Sequence, residues 1–356
     1  METVPYEDIR SEYAAVNRRK ILFTILCAIS AFIALGFSFS FGKYSVGFLE
    51  SYEVIIDHIL GRAPVDEMKD FIVWDLRLPR AVMALAAGAG LAVGGAAMQS
   101  MMRNPLADPY TIGVSSGASL GATLSIVLGL SVLPFLDPQT SVVVNAFVFS
   151  LIPVAVILLV TRYRRTTPTM MILSGIAVMY IFSATTQLIM LTADPDALAE
   201  AYEWNVGTLG KADWDNIWIV IAASAFGTAF LCFMSKDLNI VTSGDRCAKS
   251  FGVDSNRVRI VCMIVISIVT ATIVSFTGTI GFVGLISPHV VRIFLGSDNR
   301  FLIPASAAFG ALLLMLADCA AKVAGPTGLP VGVITALIGG PLFLLLLIRM
   351  RRNVWK

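Results

Sequence analysis

The 356-residue sequence contains little charge, few histidines and no grouping of residues that is typical of an enzyme. Only 14% of its residues are charged, and only two are histidines. The phosphate-binding pattern G-x-x-x-x-G-K-[ST], whose backbone amides and lysine cradle a nucleotide, does not occur. Neither histidine belongs to an H-E-x-x-H or a Ser/His/Asp grouping. We therefore predict that the chain is not an enzyme and binds no cofactor of its own.

The cysteine pattern and the net charge argue against two further classes of protein. The five cysteines lie far apart, with no C-x-x-C spacing and no neighbouring histidine, so they indicate neither a metal site nor a disulfide framework. The 26 basic and 24 acidic residues leave a net charge of +2. Such a balance creates no field that would favour nucleic acid as a partner.

Apolar residues, by contrast, are abundant. Hydrophobic residues make up 57% of the chain and its mean hydropathy is +0.81, which exceeds what one soluble core of this length would bury. Runs of about 20 mostly apolar residues predict an all-α, polytopic membrane protein with about ten transmembrane helices. The runs lie near residues 21–42, 80–102, 111–133, 141–161, 170–192, 214–234, 258–276, 279–296, 302–323 and 329–350. The Gly- and Thr-rich stretch 275–284 is compatible with a loop or with a broken helix.

The basic residues predict the orientation of these helices. An even number of spans places both termini on one side, and most of the 26 basic residues then fall on that side. The positive-inside rule assigns that side to the cytoplasm. We therefore predict a multi-pass protein of the inner (cytoplasmic) cell membrane, with a cytoplasmic N-terminal segment 1–20, a single transmembrane domain 21–350 and a cytoplasmic tail 351–356.

Two connections between the predicted helices are longer than a tight turn requires. The outer segment 43–79 is acidic and is expected to hold a short amphipathic helix on the membrane surface. The cytoplasmic segment 236–258 is polar, yet its apolar residues are spaced as one face of a short helix between two glycines, which makes it a candidate docking surface. The residues concerned are Gly244, Ala248, Phe251, Gly252 and Val253.

Small residues recur at helical spacing in the second predicted span, at Gly88, Gly90, Gly94, Gly95 and Ala97. They permit close approach of helix backbones in lipid, where apolarity alone does not drive association. Two interpretations follow. The helix either packs tightly within the bundle or lines a path, and in the second case Met98 and Gln99 near its inner end face that path.

A carboxylate lies inside the ninth predicted span. Asp318 is costly in an apolar helix unless it is paired or faces water. Lys322 follows at i+4 on the same helix face, so the sequence predicts a local ion pair, with a role in gating as the alternative. No series of acidic residues crosses the membrane, so a proton relay of the kind that secondary transporters use is not indicated.

An ordered set of motifs runs from about residue 70 to the C-terminus. The motifs are Arg77-Leu-Pro-Arg80, Gln99 followed by Arg103-Asn-Pro-Leu-Ala-Asp-Pro109, Ile112-Gly-Val-Ser-Ser-Gly-Ala118, Trp204-Asn-Val-Gly207-Thr-Leu209, Gly244-Asp245 with Ala248 and Phe251-Gly-Val253, Gly281-Phe-Val-Gly-Leu-Ile-Ser-Pro-His289 with Arg292, Pro304, Gly310, Asp318, Leu329-Pro-Val-Gly332 and Gly339-Gly-Pro-Leu-Phe343. In this order they resemble the FecCD family, the permease subunits of ATP-binding cassette (ABC) importers for iron siderophores, heme and vitamin B12. The residues before about 70 match the family poorly.

The resemblance implies a type II ABC importer permease of ten helices. Such a permease pairs with a second copy or a paralogue, and two separate ATPase subunits hydrolyse ATP for it. An extracellular or periplasmic substrate-binding protein delivers the cargo. A ferric siderophore is the favoured cargo, with heme, cobalamin and oxyanions such as molybdate as alternatives. The alternative function is a secondary transporter driven by an ion gradient.

The resemblance also transfers functional residues to matching positions near the cytoplasmic side. Coupling to the ATPase is expected from the segment 236–258, through Gly244, Asp245, Ala248, Phe251 and Gly252. The residues expected near the inner face are Arg103, Asn104, Pro105, Pro288, His289 and Arg292.

Other matching positions lie toward the outer side. Docking of the binding protein's glutamates is expected at Arg77, Arg80 and Lys322, although the family usually has an arginine where Lys322 stands. Anchoring at the membrane interface is the alternative for the two arginines. An outer gate is expected in the region 194–214. The residues of the gate and path are Met98, Gln99, Trp204, Gly207 and Asp318.

Overall fold

Helices make up the regular structure of the molecule. The computed structural model describes residues 6–42, 44–163, 167–324 and 328–349, and no strand occurs in these ranges. The helices are α1 (Tyr6–Ser38), α2 (Phe48–Ile59), α3 (Glu67–Asp70), α4 (Leu78–Met102), α5 (Val114–Leu128), α6 (Pro138–Tyr163), α7 (Pro168–Met190), α8 (Pro195–Val206), α9 (Ile217–Phe233), α10 (Ser235–Thr242), α11 (Asp245–Ser250), α12 (Ser255–Thr277), α13 (Val283–Leu295), α14 (Asn299–Val323) and α15 (Val331–Arg349). A π-helical turn, Phe71–Arg77, leads into α4, and a 3-10 turn, Pro109–Ile112, precedes α5. The predicted tail 351–356 and the first five residues of the segment 1–20 lie outside the described residues.

The structure confirms the all-α membrane fold, and each of the ten predicted runs contains a helix. In the described part of the chain, six helices are long and apolar enough to cross a membrane alone, namely α1, α4, α6, α7, α12 and α14. A seventh span results if α9 and α10, which are bent by 58° to each other, are counted together. The other three runs hold the shorter apolar helices α5, α13 and α15. In the runs that hold α5 and α13, the first residues are not α-helical. The 3-10 turn Pro109–Ile112 precedes α5, and the non-helical residues 278–282 precede α13.

The helix α4 is the centre of the bundle, where it packs against α9, α12, α13 and α14. Its small residues bring the neighbouring backbones close. A Cβ on Gly88 would lie 2.4 Å from the carbonyl oxygen of Gly310 in α14, and one on Gly95 would lie 1.7 Å from that of Gly284 in α13. Of the two interpretations of this span, the geometry supports tight packing. In lipid the hydrophobic effect does not drive helices together, so close van der Waals contact has to stabilise their association.

Between α12 and α13 the chain is broken, which resolves the ambiguity of the Gly- and Thr-rich stretch. Residues 278–282 are not helical, and both Gly278 and Phe282 have positive φ angles, of 66° and 69°. A positive φ is uncommon for a residue other than glycine. Tyr110 holds the break in place, because its hydroxyl donates to the carbonyl of Ile280 at 3.0 Å and accepts from the N–H of Ile280 at 3.1 Å. Backbone groups freed by the break thus find a partner inside the protein.

The predicted surface helix of the acidic segment is α2, which side chains join to α3. Lys69 of α3 bonds to Glu50 of α2 and lowers the pKa of that carboxyl group. His58, near the end of α2, lies 3.0 Å from a carboxylate oxygen of Asp70. These contacts fix α2 beside the π-helical turn that leads into α4.

We expect Gly88→Ala to lower the thermal stability of the purified protein. The added methyl group would meet the Gly310 carbonyl oxygen at 2.4 Å, and overpacking of this kind typically costs about 1–3 kcal/mol. The melting temperature in detergent, followed by size-exclusion chromatography of heated samples, measures the effect. Gly340→Ala is the matched control, since a Cβ at Gly340 would meet no atom within 4 Å. Equal melting temperatures of the two variants would contradict the close contact of α4 with α14.

Candidate functional site

The helices α10 and α11 form a short polar unit beside the bundle. Gly244, with a φ of 110°, separates the two helices, and Gly252, with a φ of 77°, follows α11. Glycine is favoured at such angles because it has no Cβ. Leu238 and Val241 of α10 are fully buried in the core of the bundle. The unit α10–α11 is therefore packed against the membrane-embedded helices on one side and open on the other.

One large apolar side chain projects from the end of α11. Phe251 is 71% exposed, whereas Ala248 is fully buried and Val253 packs against the core. The prediction that these three residues share one docking face is therefore wrong. The helix ends before Phe251, so the turn directs this ring away from the bundle while Ala248 and Val253 face it. Ala248 can position α11, but it cannot touch a partner.

Asp245 anchors α11 through an arginine that the sequence analysis did not single out. Its two carboxylate oxygens accept hydrogen bonds from the guanidinium group of Arg259, at 3.2 and 2.5 Å. Arg259 is 1% exposed, and its Nε donates to the carbonyl of Met101 at 3.2 Å. The hydrogen bonds from Arg259 lower the pKa of Asp245, so this carboxylate is ionised at neutral pH. The bidentate pair ties α11 to α12 and to the end of α4.

Three of the predicted inner-face residues lie in the turn beside this unit. Arg103 follows α4 with a φ of 52° and an exposed side chain. Asn104 and Pro105 continue the turn, and Oδ1 of Asn104 accepts from the N–H of Leu106 at 2.9 Å. A guanidinium nitrogen of Arg103 lies 3.5 Å from where a Cβ on Gly244 would stand. The structure thus brings this turn together with the predicted coupling residues.

The other three predicted inner-face residues lie inside the bundle. Pro288, His289 and Arg292 are buried in α13, a helix that packs on both α4 and α14. Arg292 donates to Oε1 of Gln99 at 2.8 Å, and Nε2 of Gln99 donates to a backbone carbonyl of α13 at 3.1 Å. Gln99 and its neighbour Met98 are fully buried. Neither Gln99 nor Met98 faces open space within one protomer. A position of the α13 residues near the inner face stays a prediction, and the contact of Arg292 with the inner end of α4 agrees with it.

The predicted ion pair of Asp318 is present and has a second partner. Asp318 is fully buried, with Lys322 Nζ 2.9 Å from one carboxylate oxygen and Arg80 Nε 2.8 Å from the other. Lys322 also donates to the hydroxyl of Ser38 at 2.7 Å. This group, which we call the carboxylate triad (Arg80, Asp318 and Lys322), joins the ends of α4 and α14, and Ser38 adds α1.

Burial removes two of the three predicted docking cations from the surface. The side chain of Lys322 is 6% exposed within the triad. Arg77 is 6% exposed and donates to the backbone carbonyls of Phe39 and Tyr44. Within this chain, the guanidinium group of Arg77 thus serves the connection between α1 and α2. Arg80, at 23% exposure, is the most accessible of the three.

The predicted gate residues lie where α8 meets α12 and α15. Trp204 is 4% exposed and packs with Ala118 of α5 and Val274 of α12. It therefore fills a small core and does not stand in an open mouth. Gly207 has a φ of 79°, as expected of a glycine that bends the backbone, and its carbonyl accepts from the N–H of Gly332 at 3.1 Å.

An apolar cavity of about 220 Å³ opens between α13, α14 and α15. It is lined mainly by apolar side chains, among them Phe282, Leu316 and Ile338. Thr335 also lines it, and its hydroxyl donates to the backbone carbonyl of Gly332 at 3.0 Å. In the described residues, no three His, Cys, Asp or Glu side chains are arranged to hold a metal ion.

The long apolar helices define an integral membrane protein, with the polar unit α10–α11 beside them. Comparison with protein families identifies its class. The model of the FecCD transport family matches residues 27–349. The chain belongs to this family of ABC transporter permeases, whose ATPase is a separate subunit.

Relatives of known name support the assignment. The cobalamin import permease BtuC of Halobacterium salinarum is 39% identical over 80% of this chain and 75% of its own length. The hemin transport permease HmuU of Yersinia pestis is 34% identical, over 79% and 84%, and the Fe(3+)-citrate import permease YfmD of Bacillus subtilis is 34% identical, over 96% and 99%. A solved inward-facing transporter, described as being of the metal-chelate ABC type, superimposes with a TM-score of 0.79 at 28% identity, over 94% of this chain and 100% of its own. The fold is that of a type II importer permease.

We expect Asp318→Asn to destabilise the protein strongly. The change leaves Lys322 and Arg80 without their shared counter-charge, and breaking a buried ion pair typically costs about 3–5 kcal/mol. The yield of monodisperse protein and its melting temperature in detergent report the loss. Asp215→Asn, a change of the same kind at an exposed aspartate, is the control. Wild-type stability of Asp318→Asn would show that the triad does not hold the helices together.

Proposed function

We propose that this permease imports a chelated nutrient, with a ferric siderophore as the favoured cargo and heme and cobalamin as the other candidates. The relatives support a cargo of this kind, since their names specify cobalamin, hemin and ferric citrate. Relatives of similar identity differ in cargo, so the choice among these compounds has to be measured.

The working transporter, in this proposal, contains a second permease copy or a paralogue, two ATPase subunits and a binding protein on the other side of the cell membrane. The unit α10–α11 and the start of α12 expose Arg246, Lys249 and Arg257, and the positive-inside rule favours the cytoplasm for such a surface. Both termini are then cytoplasmic. The acidic segment 43–79 and the gate region 194–214 are then outside.

The proposal rests above all on Phe251, which is exposed on a helix that is firmly anchored. An exposed aromatic side chain is ordinary by itself, but aromatic anchors are common at the centre of protein interfaces. Here the anchor stands on α11, which the Asp245–Arg259 pair ties to α12 and to the carbonyl of Met101 in α4. A partner that displaces Phe251 therefore pulls on two membrane-embedded helices.

ATP binding closes the ATPase pair in this mechanism, and the closure moves α11. The buried Arg259 passes the movement to α12 and α4, and the interface between the two permease copies opens alternately to the outside and the inside. The chain supplies the path, the gates and the coupling unit, while the ATPase subunits hydrolyse ATP. The bend at Gly207 and the packing of Trp204 make α8 the proposed outer gate.

Arg80 is the residue that we propose to meet an acidic side chain of the binding protein. It is the predicted docking cation with the greatest exposure, but its guanidinium group already binds Asp318. The binding protein then competes with an internal carboxylate, so capture at this point is weak and falls with ionic strength.

Phe251→Asp is expected to weaken binding of the ATPase subunit at least tenfold, since an interface anchor typically contributes about 2 kcal/mol or more. Affinity is measured with purified permease in nanodiscs and the ATPase in solution. Phe135→Asp is the matched control, because Phe135 is 80% exposed in the loop before α6, on the opposite side of the membrane. An unchanged affinity of Phe251→Asp would refute docking at α11.

Uptake into proteoliposomes tests the function as a whole. We expect accumulation of cargo only when the ATPase, the binding protein and ATP are all present, because this chain has no nucleotide-binding sequence. Ferric siderophores, ferric citrate, heme and cobalamin are compared in parallel. Uptake by the permease alone under an ion gradient would contradict the proposal and indicate a secondary transporter.

A further inference from the structure

A second polar cluster joins the unit α10–α11 to the bundle at a different point. Asn239 of α10 faces the turn between α13 and α14. Its Oδ1 accepts from both the backbone N–H and the side-chain Nδ2 of Asn299, each at 2.8 Å. Its Nδ2 donates to Oδ1 of Asp298 at 2.8 Å. Both ends of one amide side chain are thus used to hold two consecutive residues.

The cluster continues into α4. Oδ1 of Asn299 accepts from the hydroxyl of Ser100 at 2.7 Å. The hydroxyl of Thr242, at the end of α10, lies 3.3 Å from the carbonyl of Ser100 and 2.7 Å from the carbonyl of Leu238 in its own helix, so its proton is shared between the two acceptors. Asn299 is fully buried and Ser100 is 2% exposed. We call this group of Asn239, Asn299, Ser100 and Thr242 the amide clamp.

The charge state of Asp298 determines which groups of the clamp donate and which accept hydrogen bonds. Burial raises the pKa of its carboxyl group, but hydrogen bonds from Arg300 and Asn239 outweigh burial and hold the pKa at about 2. The group is thus an ionised carboxylate at neutral pH and can only accept hydrogen bonds. The side chain at position 239 must therefore present a donor to Asp298 and an acceptor to Asn299, and asparagine provides both.

Apolar packing alone would leave α10 free to slide. The helix is bent by 58° from α9, so it does not continue the direction of that span, and the buried Leu238 and Val241 give contacts without direction. Hydrogen bonds are directional, and a fully satisfied buried network specifies one arrangement. The clamp therefore fixes how α10 sits on α4 and α14.

We propose that Asn239 is a positioning residue for energy coupling, through which the movement of the unit α10–α11 is passed to α14 and α4. This inference rests on the proposed function. It adds a second connection, besides Arg259, by which movement of the unit α10–α11 reaches the bundle. This connection leads to α14, and the carboxylate triad lies at the other end of that helix. With the clamp broken, the unit α10–α11 moves without carrying the bundle along.

The test uses the complete transporter in proteoliposomes and measures cargo transported for each ATP hydrolysed. In Asn239→Asp, a second carboxylate faces Asp298, so the clamp opens by repulsion. We expect assembly with the ATPase and ATP hydrolysis to persist while the transport ratio falls about tenfold, which is within the usual range of coupling free energies. Ser243→Ala is the control, because this exposed side chain donates only to the carbonyl of Asn239.

A rescue variant separates the contact from general damage to the fold. Asn239→Asp combined with Asp298→Asn exchanges donor and acceptor, and we expect it to recover part of the ratio; recovery is partial because Arg300 loses a carboxylate partner. If Asn239→Asp alone fails to assemble with the ATPase, recovery of assembly and of the transport ratio in the double variant still supports the clamp, because it shows that the contact between residues 239 and 298 was the cause. A wild-type ratio in Asn239→Asp, or no recovery in the double variant, would overturn the inference. Absence of ATP-dependent uptake by the wild-type complex would instead overturn the proposed function and this inference with it.

Discussion

Close backbone contact around α4 is the constraint on which the rest of the structure depends. Helices in lipid gain nothing from the hydrophobic effect when they associate, so α4 is held by van der Waals contact at distances that only glycine permits. Gly88 lies against Gly310 and Gly95 lies against Gly284. These contacts fix α4 relative to α13 and α14. They thereby also fix the polar groups at its two ends.

Those polar groups lie where the position of one helix along its neighbour has to be fixed. Arg80 at one end of α4 meets Asp318 of α14, and the carbonyls of Ser100 and Met101 at the other end receive donors from α10 and α12. Buried charges of this kind add little net stability, because their desolvation offsets their attraction. Their contribution is geometric, since each pair is satisfied in only one arrangement of the helices. One central helix thus connects a triad at one end with two polar contacts at the other.

Features that depend on residues close together in the chain could be predicted from the sequence. Contacts between residues far apart in the chain could not. The helices, the glycine packing of α4 and the pair of Asp318 with Lys322 follow from spacing of about four residues or from composition. Arg80 lies 238 residues from Asp318, so no local pattern could pair them. The α11 face was misassigned because that helix has only six residues, too few for a helical period to separate its faces.

Burial depth was the second source of error. Arg77 lies near a helix end, where arginines usually reach the surface, and only the fold of the α1–α2 connection shows that its guanidinium group is enclosed. Arg259 could have been found, because an arginine one turn inside an apolar helix requires a partner. The hydrogen bond of Arg292 to Gln99 also joins residues 193 positions apart, so no local pattern could predict it.

The carboxylate triad has a consequence for how this protein can change over generations. Ser38, Arg80, Asp318 and Lys322 come from three helices that are far apart in the chain, yet each side chain is satisfied by another member of the set. The four replacements are therefore unequal. Loss of Asp318 leaves two cations without their shared counter-charge, whereas loss of Arg80 or of Lys322 leaves Asp318 with one cation. Loss of the Ser38 hydroxyl removes a hydrogen bond but no charge. Asp318 is thus the position at which this set tolerates replacement least.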